Sequence, residues 1–243
     1  MARKPAPWTD LARTLARLAV PVECPGCGAE DVRLCGACAA PWWTDPVRVE
    51  DCAPRVNRAD EPSLPVWSAA ALEGPVAGVV AAWKDGARRD LDAWMREVAC
   101  RVGLHAGQAL REVGVTRVAV VPAPARRAST RRRGVDLPWI LALGAAQGLS
   151  TAGLDVSIER CLRIGAGESR GRSARGRWRD ASRALSCAAA PGAAAVIVDD
   201  VLTTGATLAA CVAALEGRGA VVAGALTATF VDRGRARLRT GLG

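Results

Sequence analysis

One stretch constrains this chain more than any other: Val196-Ile-Val-Asp-Asp-Val-Leu-Thr-Thr-Gly-Ala-Thr-Leu208. An apolar run enters two adjacent acids. A Thr- and Gly-rich turn follows, and then a helical apolar pattern through Leu215. The order is strand, loop, helix start. Ligands of open α/β sheets bind at the carboxyl ends of strands. A helix start presents backbone N–H groups and a positive dipole end, which together attract anions. Small residues let the backbone close on a phosphate, and Thr203, Thr204 and Thr207 add hydroxyl donors. Acids repel phosphate, so Asp199 and Asp200 suit sugar hydroxyls or a Mg²⁺ shell. The residues point to a ligand with both a phosphate and a polyhydroxy ring. The plainer alternative is a capped helix after a buried strand with surface acids.

The pattern upstream agrees with such a fold. Val66 to Leu72 reads as a strand and Val76 to Lys84 as a helix. Leu91 to Val113 is a long helical pattern, and Arg117 to Val121 a β-rich run ending in Pro122-Ala123-Pro124. Leu137 to Gln147 is helical with Gly148 as its expected C-cap, and Leu154 to Ile158 is a short strand. Ala193 to Val198 and Val221 to Val231 are strands, with Gly217 and Gly219 ending the helix between them. Strands alternating with helices predict a parallel, doubly wound α/β sheet with helices on both faces.

The N-terminal part is different. Leu11, Leu15 and Leu18 follow a Thr9-Asp10 cap at helical spacing. Cys24-Pro-Gly-Cys27 and Cys35-Gly-Ala-Cys38 then place two thiol pairs on two tight turns. Such pairs close a tetrahedral S4 site, which favours structural Zn²⁺ over a redox dithiol or an iron–sulfur cluster. Residues 41–65, rich in proline, charge and turn formers, read as module tail and linker. The expected organisation is a short helix, four-Cys zinc module and linker over 1–60, then one larger domain over 66–243. Of the other five cysteines, Cys100 and Cys211 sit in apolar helical patterns and read as buried small hydrophobes. The single histidine, His105, reads as a surface or partly buried helix residue.

Charge narrows the partners. The chain has 33 Lys and Arg against 24 Asp and Glu, a net charge of +9, and only Lys4 and Lys84 are lysines. Five of the eight residues 126–133 are Arg, and eight more lie between Arg160 and Arg183. Such runs are solvated faces or sites for phosphates and nucleic acid, and a GC-rich coding composition also enriches Arg. No apolar run reaches the roughly 18 residues of a membrane span. Arg13 and Arg17 interrupt the Leu11–Val20 stretch that a signal peptide would need. The expectation is a soluble, cytoplasmic protein without membrane insertion.

The acid-pair and Thr-Thr-Gly-Ala-Thr turn resembles the PRPP-binding signature of type I phosphoribosyltransferases. With the four-Cys module ahead of it, the chain resembles the ComF family, linked to DNA uptake in competent bacteria. Trp83-Lys84-Asp85-Gly86 is similar to that family's Lys-x-Gly segment, and Val121-Pro-Ala-Pro124 with Arg132-Arg-Gly134 to its Val-Pro-x-Pro…Arg-Gly segment. Arg163 and Arg175 resemble later basic positions. Where the family carries an aromatic, Asn and Gln, this chain has Val135, Asp136 and Leu137; Glu168 and Trp178 replace a later Gln and Asn. The resemblance implies a type I phosphoribosyltransferase-like sheet behind a zinc-ribbon-like module. It also implies ribose contacts at Asp199 and Asp200, and 5′-phosphate contacts at Thr203, Thr204, Gly205, Ala206 and Thr207. Candidate diphosphate contacts are Lys84, Pro122, Ala123, Arg126, Arg127, Arg131, Arg132 and Arg133.

The implied reaction is Mg²⁺-dependent transfer of phosphoribosyl from PRPP to an unknown nitrogenous acceptor, with a competence role. It passes through an oxocarbenium-like state at C1′, as in glycoside cleavage. The Gly- and Arg-rich stretch Ile164 to Arg177 is either a mobile cover or a plain surface loop. No residue reads as a general base. The alternative is a non-catalytic PRPP or nucleotide sensor that works as an adaptor on single-stranded DNA or a helicase-like partner.

Overall fold

The structure, a computed structural model, describes residues 22–56, 63–86, 88–125, 130–131, 134–164 and 185–232. The expected Leu11–Leu18 helix, Arg126, Arg127, Arg132, Arg133, and the positions Glu168, Arg175 and Trp178 lie outside the described residues. Within them the elements run α1 (Gly36–Ala39), β1 (Val47–Arg48), β2 (Val66–Ala71), α2 (Gly74–Lys84), α3 (Asp92–Glu112), β3 (Arg117–Pro122) and α4 (Leu137–Thr151). They continue with β4 (Asp155–Ile158), β5 (Leu162–Ile164), β6 (Leu185–Cys187), β7 (Ala194–Leu202), α5 (Ala206–Glu216) and β8 (Val222–Phe230). Short 3₁₀ turns span Ala40–Trp43, Glu50–Cys52 and Arg89–Leu91.

Six strands form one sheet in the order β1-β2-β8-β7-β3-β4, and only the edge pair β1/β2 is antiparallel. The strands are apolar on both faces because both are covered, as parallel sheets require. Val196 and Val198 of β7, with Val118 and Val120 of β3, pack on the face holding Val79 and Trp83 of α2, Met95 and Val98 of α3 and Leu141 of α4. Their neighbours Ala195, Ile197 and Val121 pack on the opposite face with Leu208, Cys211 and Leu215 of α5.

Topology fixes where a ligand fits. After β3 the chain passes through α4 to β4 on one side; after β7 it passes through α5 to β8 on the other. The two helices lie on opposite faces. The carboxyl ends of β3 and β7 therefore bound the crevice where the strand order reverses, the usual ligand position in open α/β sheets.

Several details differ from the sequence reading. β7 runs through both acids to Leu202, so the loop begins at Thr203. Gly148 does not cap α4; the helix continues to Thr151, and Gly153 at φ +91° follows its cap. Gly148 is instead a contact point, where an added Cβ would lie 1.9 Å from the Cys100 carbonyl of α3. Cys100 is only half-buried, whereas Cys211 is fully buried. Of the 41–65 segment, Val47–Arg48 joins the sheet edge, and Val49, Ala53 and Val56 enter the core beneath α5. The antiparallel pair β5/β6 forms a separate small sheet. His105 lies partly buried on α3. No helix among the described residues is long and apolar enough to cross a membrane.

Candidate functional site

Two groups of residues are candidates: the end of β7 with its turn, and the four cysteines. Consecutive strand residues leave on opposite faces. Asp199 continues the Ala195–Ile197 face, towards α5. Burial and then the charge of Asp199 push the Cys211 thiol of α5 up. Asp200 continues the other face, where its Oδ2 meets Lys84 Nζ of α2 at 2.8 Å. The Asp200 backbone N–H also donates to Asp199 Oδ1 at 2.8 Å. Burial, then the neighbouring Asp200 charge, pushes the Asp199 carboxyl up to about 7. Asp200 and Lys84 thus form a mostly shielded ion pair at the rim of the crevice.

The turn is built for close approach. Gly205 takes φ +74° as N-cap of α5, a conformation that disfavours any side chain. The Ala206 N–H donates to Thr204 Oγ1 at 3.3 Å, and the Ala209 N–H to the Gly205 carbonyl at 2.8 Å. Thr203 and Thr207 are exposed at the helix start, where the first N–H groups of a helix have no intrahelical acceptor. Across the crevice, Pro122 and Ala123 end β3, both buried; the Ala123 N–H donates to the Val198 carbonyl at 2.8 Å. That bond ties the β3 loop to β7 one residue before the acids. Arg131, exposed, lies farther along the chain. The structure therefore places Lys84, Asp199, Asp200, residues 203–207, Pro122 and Ala123 about one crevice.

Sequence reasoning missed two features of this end of the sheet. Ser68, Thr227 and Asp199 are register partners on β2, β8 and β7. The hydroxyls of Ser68, Thr227 and Thr229 are buried without a hydrogen-bond partner. Three hydroxyls inside otherwise apolar strands were the available signal. Secondly, residues 50–56 lie against the turn. A Cβ on Gly205 would come 3.0 Å from Val56 Cγ2 and 3.1 Å from Ala53 Cβ. At the start of α4, Asp136 bonds the Arg160 guanidinium, which lies 4.9 Å over the Trp139 ring.

The sulfurs of Cys24, Cys27, Cys35 and Cys38 all lie within 4.8 Å of one another. Cys35 Sγ is 3.7 Å from both Cys24 Sγ and Cys27 Sγ. A zinc–thiolate bond of about 2.3 Å gives a tetrahedral S–S edge of about 3.8 Å, whereas a disulfide needs about 2.05 Å. The spacing fits a shared metal ion. Burial raises the Cys24 thiol, but N–H donors from Cys35, Gly26 and Cys27 outweigh it and bring it down to about 6. Cys38 is pushed up by burial and by the three neighbouring sulfurs. Four crowded sulfurs of which one ionises readily are the donor set that a divalent soft-ligand metal neutralises. Four protein ligands would complete the tetrahedral coordination of a metal ion such as zinc and leave no open position.

No protein-family model matches the chain, and no curated protein matches it either.

Proposed function

We propose that this chain is a ComF-type, phosphoribosyltransferase-like protein that binds PRPP and transfers its phosphoribosyl group to a nitrogenous acceptor. A structural zinc sits in its four-Cys module, and Mg²⁺ accompanies the diphosphate of the substrate. The observation that carries the reading is the position of the acid pair and its Thr/Gly turn. They lie at the carboxyl end of a central parallel strand, on one wall of the crevice where the strand order reverses.

The chemistry follows from the walls. The α5 N-terminus and the hydroxyls of Thr203, Thr204 and Thr207 take the 5′-phosphate. Asp199 and Asp200 accept hydrogen bonds from the ribose hydroxyls. The end of β3 and Arg131 face the diphosphate, for which guanidinium forks are well shaped. The C1′–oxygen bond breaks, its electron pair leaves with the diphosphate, and the acceptor nitrogen's lone pair forms the new bond. Stabilising the leaving anion is the largest contribution such a site makes.

The deciding experiment is calorimetric titration of PRPP with Mg²⁺ into wild type and Asp199→Asn/Asp200→Asn. Wild type is expected to bind and the double variant to lose binding while keeping its circular dichroism spectrum. Absence of wild-type binding overturns the reading. The net charge of +9 favours a second reading, an adaptor on single-stranded DNA. It predicts DNA affinity that falls steeply with salt, and PRPP binding without diphosphate release.

A further inference from the structure

The four-Cys module and the acid pair are joined by one helix. Lys84, the last residue of α2, holds Asp200. At Gly78 the same helix is pressed on the module. An added Cβ on Gly78 would lie 2.3 Å from the Pro25 carbonyl, between Cys24 and Cys27. On Gly26 it would meet Cys38 Sγ at 2.7 Å and Pro75 Cβ, at the start of α2, at 3.1 Å. At Gly78 the two segments touch backbone to backbone, with no side chain between them to absorb a shift.

Arg88 closes the other end of the contact. Its Nη1 donates to the Glu23 carbonyl and its Nη2 to the Arg33 carbonyl, both at 2.9 Å. Glu23 adjoins Cys24, and Arg33 lies two residues before Cys35, so one guanidinium spans the two cysteine turns. Asp90 holds that guanidinium in place at 2.8 Å. The turn between Lys84 and Arg88 is bonded to the helix: Asp85 and Gly86 N–H donate to the Ala81 carbonyl, and Arg88 N–H to Ala82. A displacement of Arg88 is therefore transmitted to the helix end that carries Lys84.

We propose that Arg88 and Gly78 are positioning residues for the acid pair. By seating α2 on the metal module they fix Lys84, and Lys84 fixes the Asp200 carboxylate for the ribose. For its ligand this rests on the PRPP reading above. The mechanical coupling does not.

The first test is amide hydrogen exchange on the zinc-loaded, ligand-free full chain. Arg88→Ala is expected to speed exchange at residues 81–86 and at 200–202, with zinc content unchanged. Gly78→Ala, which pushes on the Pro25 carbonyl, is expected to do the same. Arg88→Lys, able to reach only one of the two carbonyls, is expected to fall between wild type and Arg88→Ala. Changes confined to residues 22–38 and 74–80 overturn the coupling. The second test is PRPP titration. Arg88→Ala is expected to bind about tenfold more weakly, the scale of ordinary site–site coupling. Arg88→Ala/Lys84→Met is expected to bind no worse than Lys84→Met alone, because Arg88 acts through Lys84. Additive losses assign Arg88 a merely structural role and overturn the proposal. Failure of wild type to bind PRPP overturns the function reading, and the exchange result still decides the coupling.

Discussion

Asp199 shows what a single residue contributes at this site. Its carboxyl titrates near 7, raised first by burial and then by the charge of Asp200. An unfolded Asp titrates near about 3.9. The folded value lies above the unfolded one, so ionised Asp199 destabilises the fold. That cost is absent below about pH 4, grows between about pH 4 and 7, and is complete above about pH 7. Asp199→Asn removes the charge and should raise the melting temperature at pH 8, and by much less at pH 4.5. Each kcal/mol is worth about 2–4 °C in a chain of this size. Differential scanning fluorimetry across pH checks it, and an equal shift at both pH values contradicts the assigned cause. A ligand that donates hydroxyl hydrogens to the carboxylate offsets the same cost.

At the scale of elements, α3 and α4 pack backbone against backbone. Gly144 and Gly148 of α4 would place a Cβ 2.0 Å from the Arg96 carbonyl and 1.9 Å from the Cys100 carbonyl of α3. Gly103 and Gly107 of α3 answer with contacts at Ala145 and Ala152. Gly148→Ala gains helix propensity of about 1 kcal/mol but must separate two backbones. The clash wins, since it cannot be relieved by rotating a side chain. A loss of about 2–3 kcal/mol is expected, read as a fall of about 5–10 °C in melting temperature. This contact also explains one limit of the sequence. A glycine closing an apolar helical run reads as a stop, because chain ending and close approach call for the same residue; only the partner helix tells them apart. The main strands and helices were legible because their apolar periodicity is local. β1, at two residues, and β5 and β6, at three residues each, are too short to carry a period. At the site, the turn was legible because its residues are contiguous. The Lys84–Asp200 pair and the clasp of Arg88 on two carbonyls were not, because each joins residues far apart in the chain.

The whole molecule raises a different question: whether the cysteine module folds with the sheet or beside it. Trp42 is buried in the same core as Val79, Trp83 and Met95, with Leu34 and Trp43 packed against that core. Trp42 and Trp43 both meet Trp94 of α3 edge to face, at 5.0 and 6.0 Å. The Arg101 guanidinium of α3 donates to the Trp42 carbonyl at 3.1 Å and lies over the Trp43 ring. These contacts follow directly on Cys38, so a metal that holds the cysteine turns also holds the chain entering the core. Removing it should then destabilise the whole fold rather than a detached part. Stripping with a high-affinity chelator at pH 7.5 should lower a single calorimetric transition by about 5 °C or more, and readdition of one equivalent of Zn²⁺ should restore it. Ligand thiols must lose protons to bind, so chelation should succeed at lower chelator concentration as pH falls towards 5.5. Two separate transitions, with the upper one indifferent to the chelator, would show instead that the module and the sheet fold independently. In that case the aromatic contacts between Trp42, Trp43 and Trp94 are too weak to couple them, and the metal's influence ends at the cysteine turns.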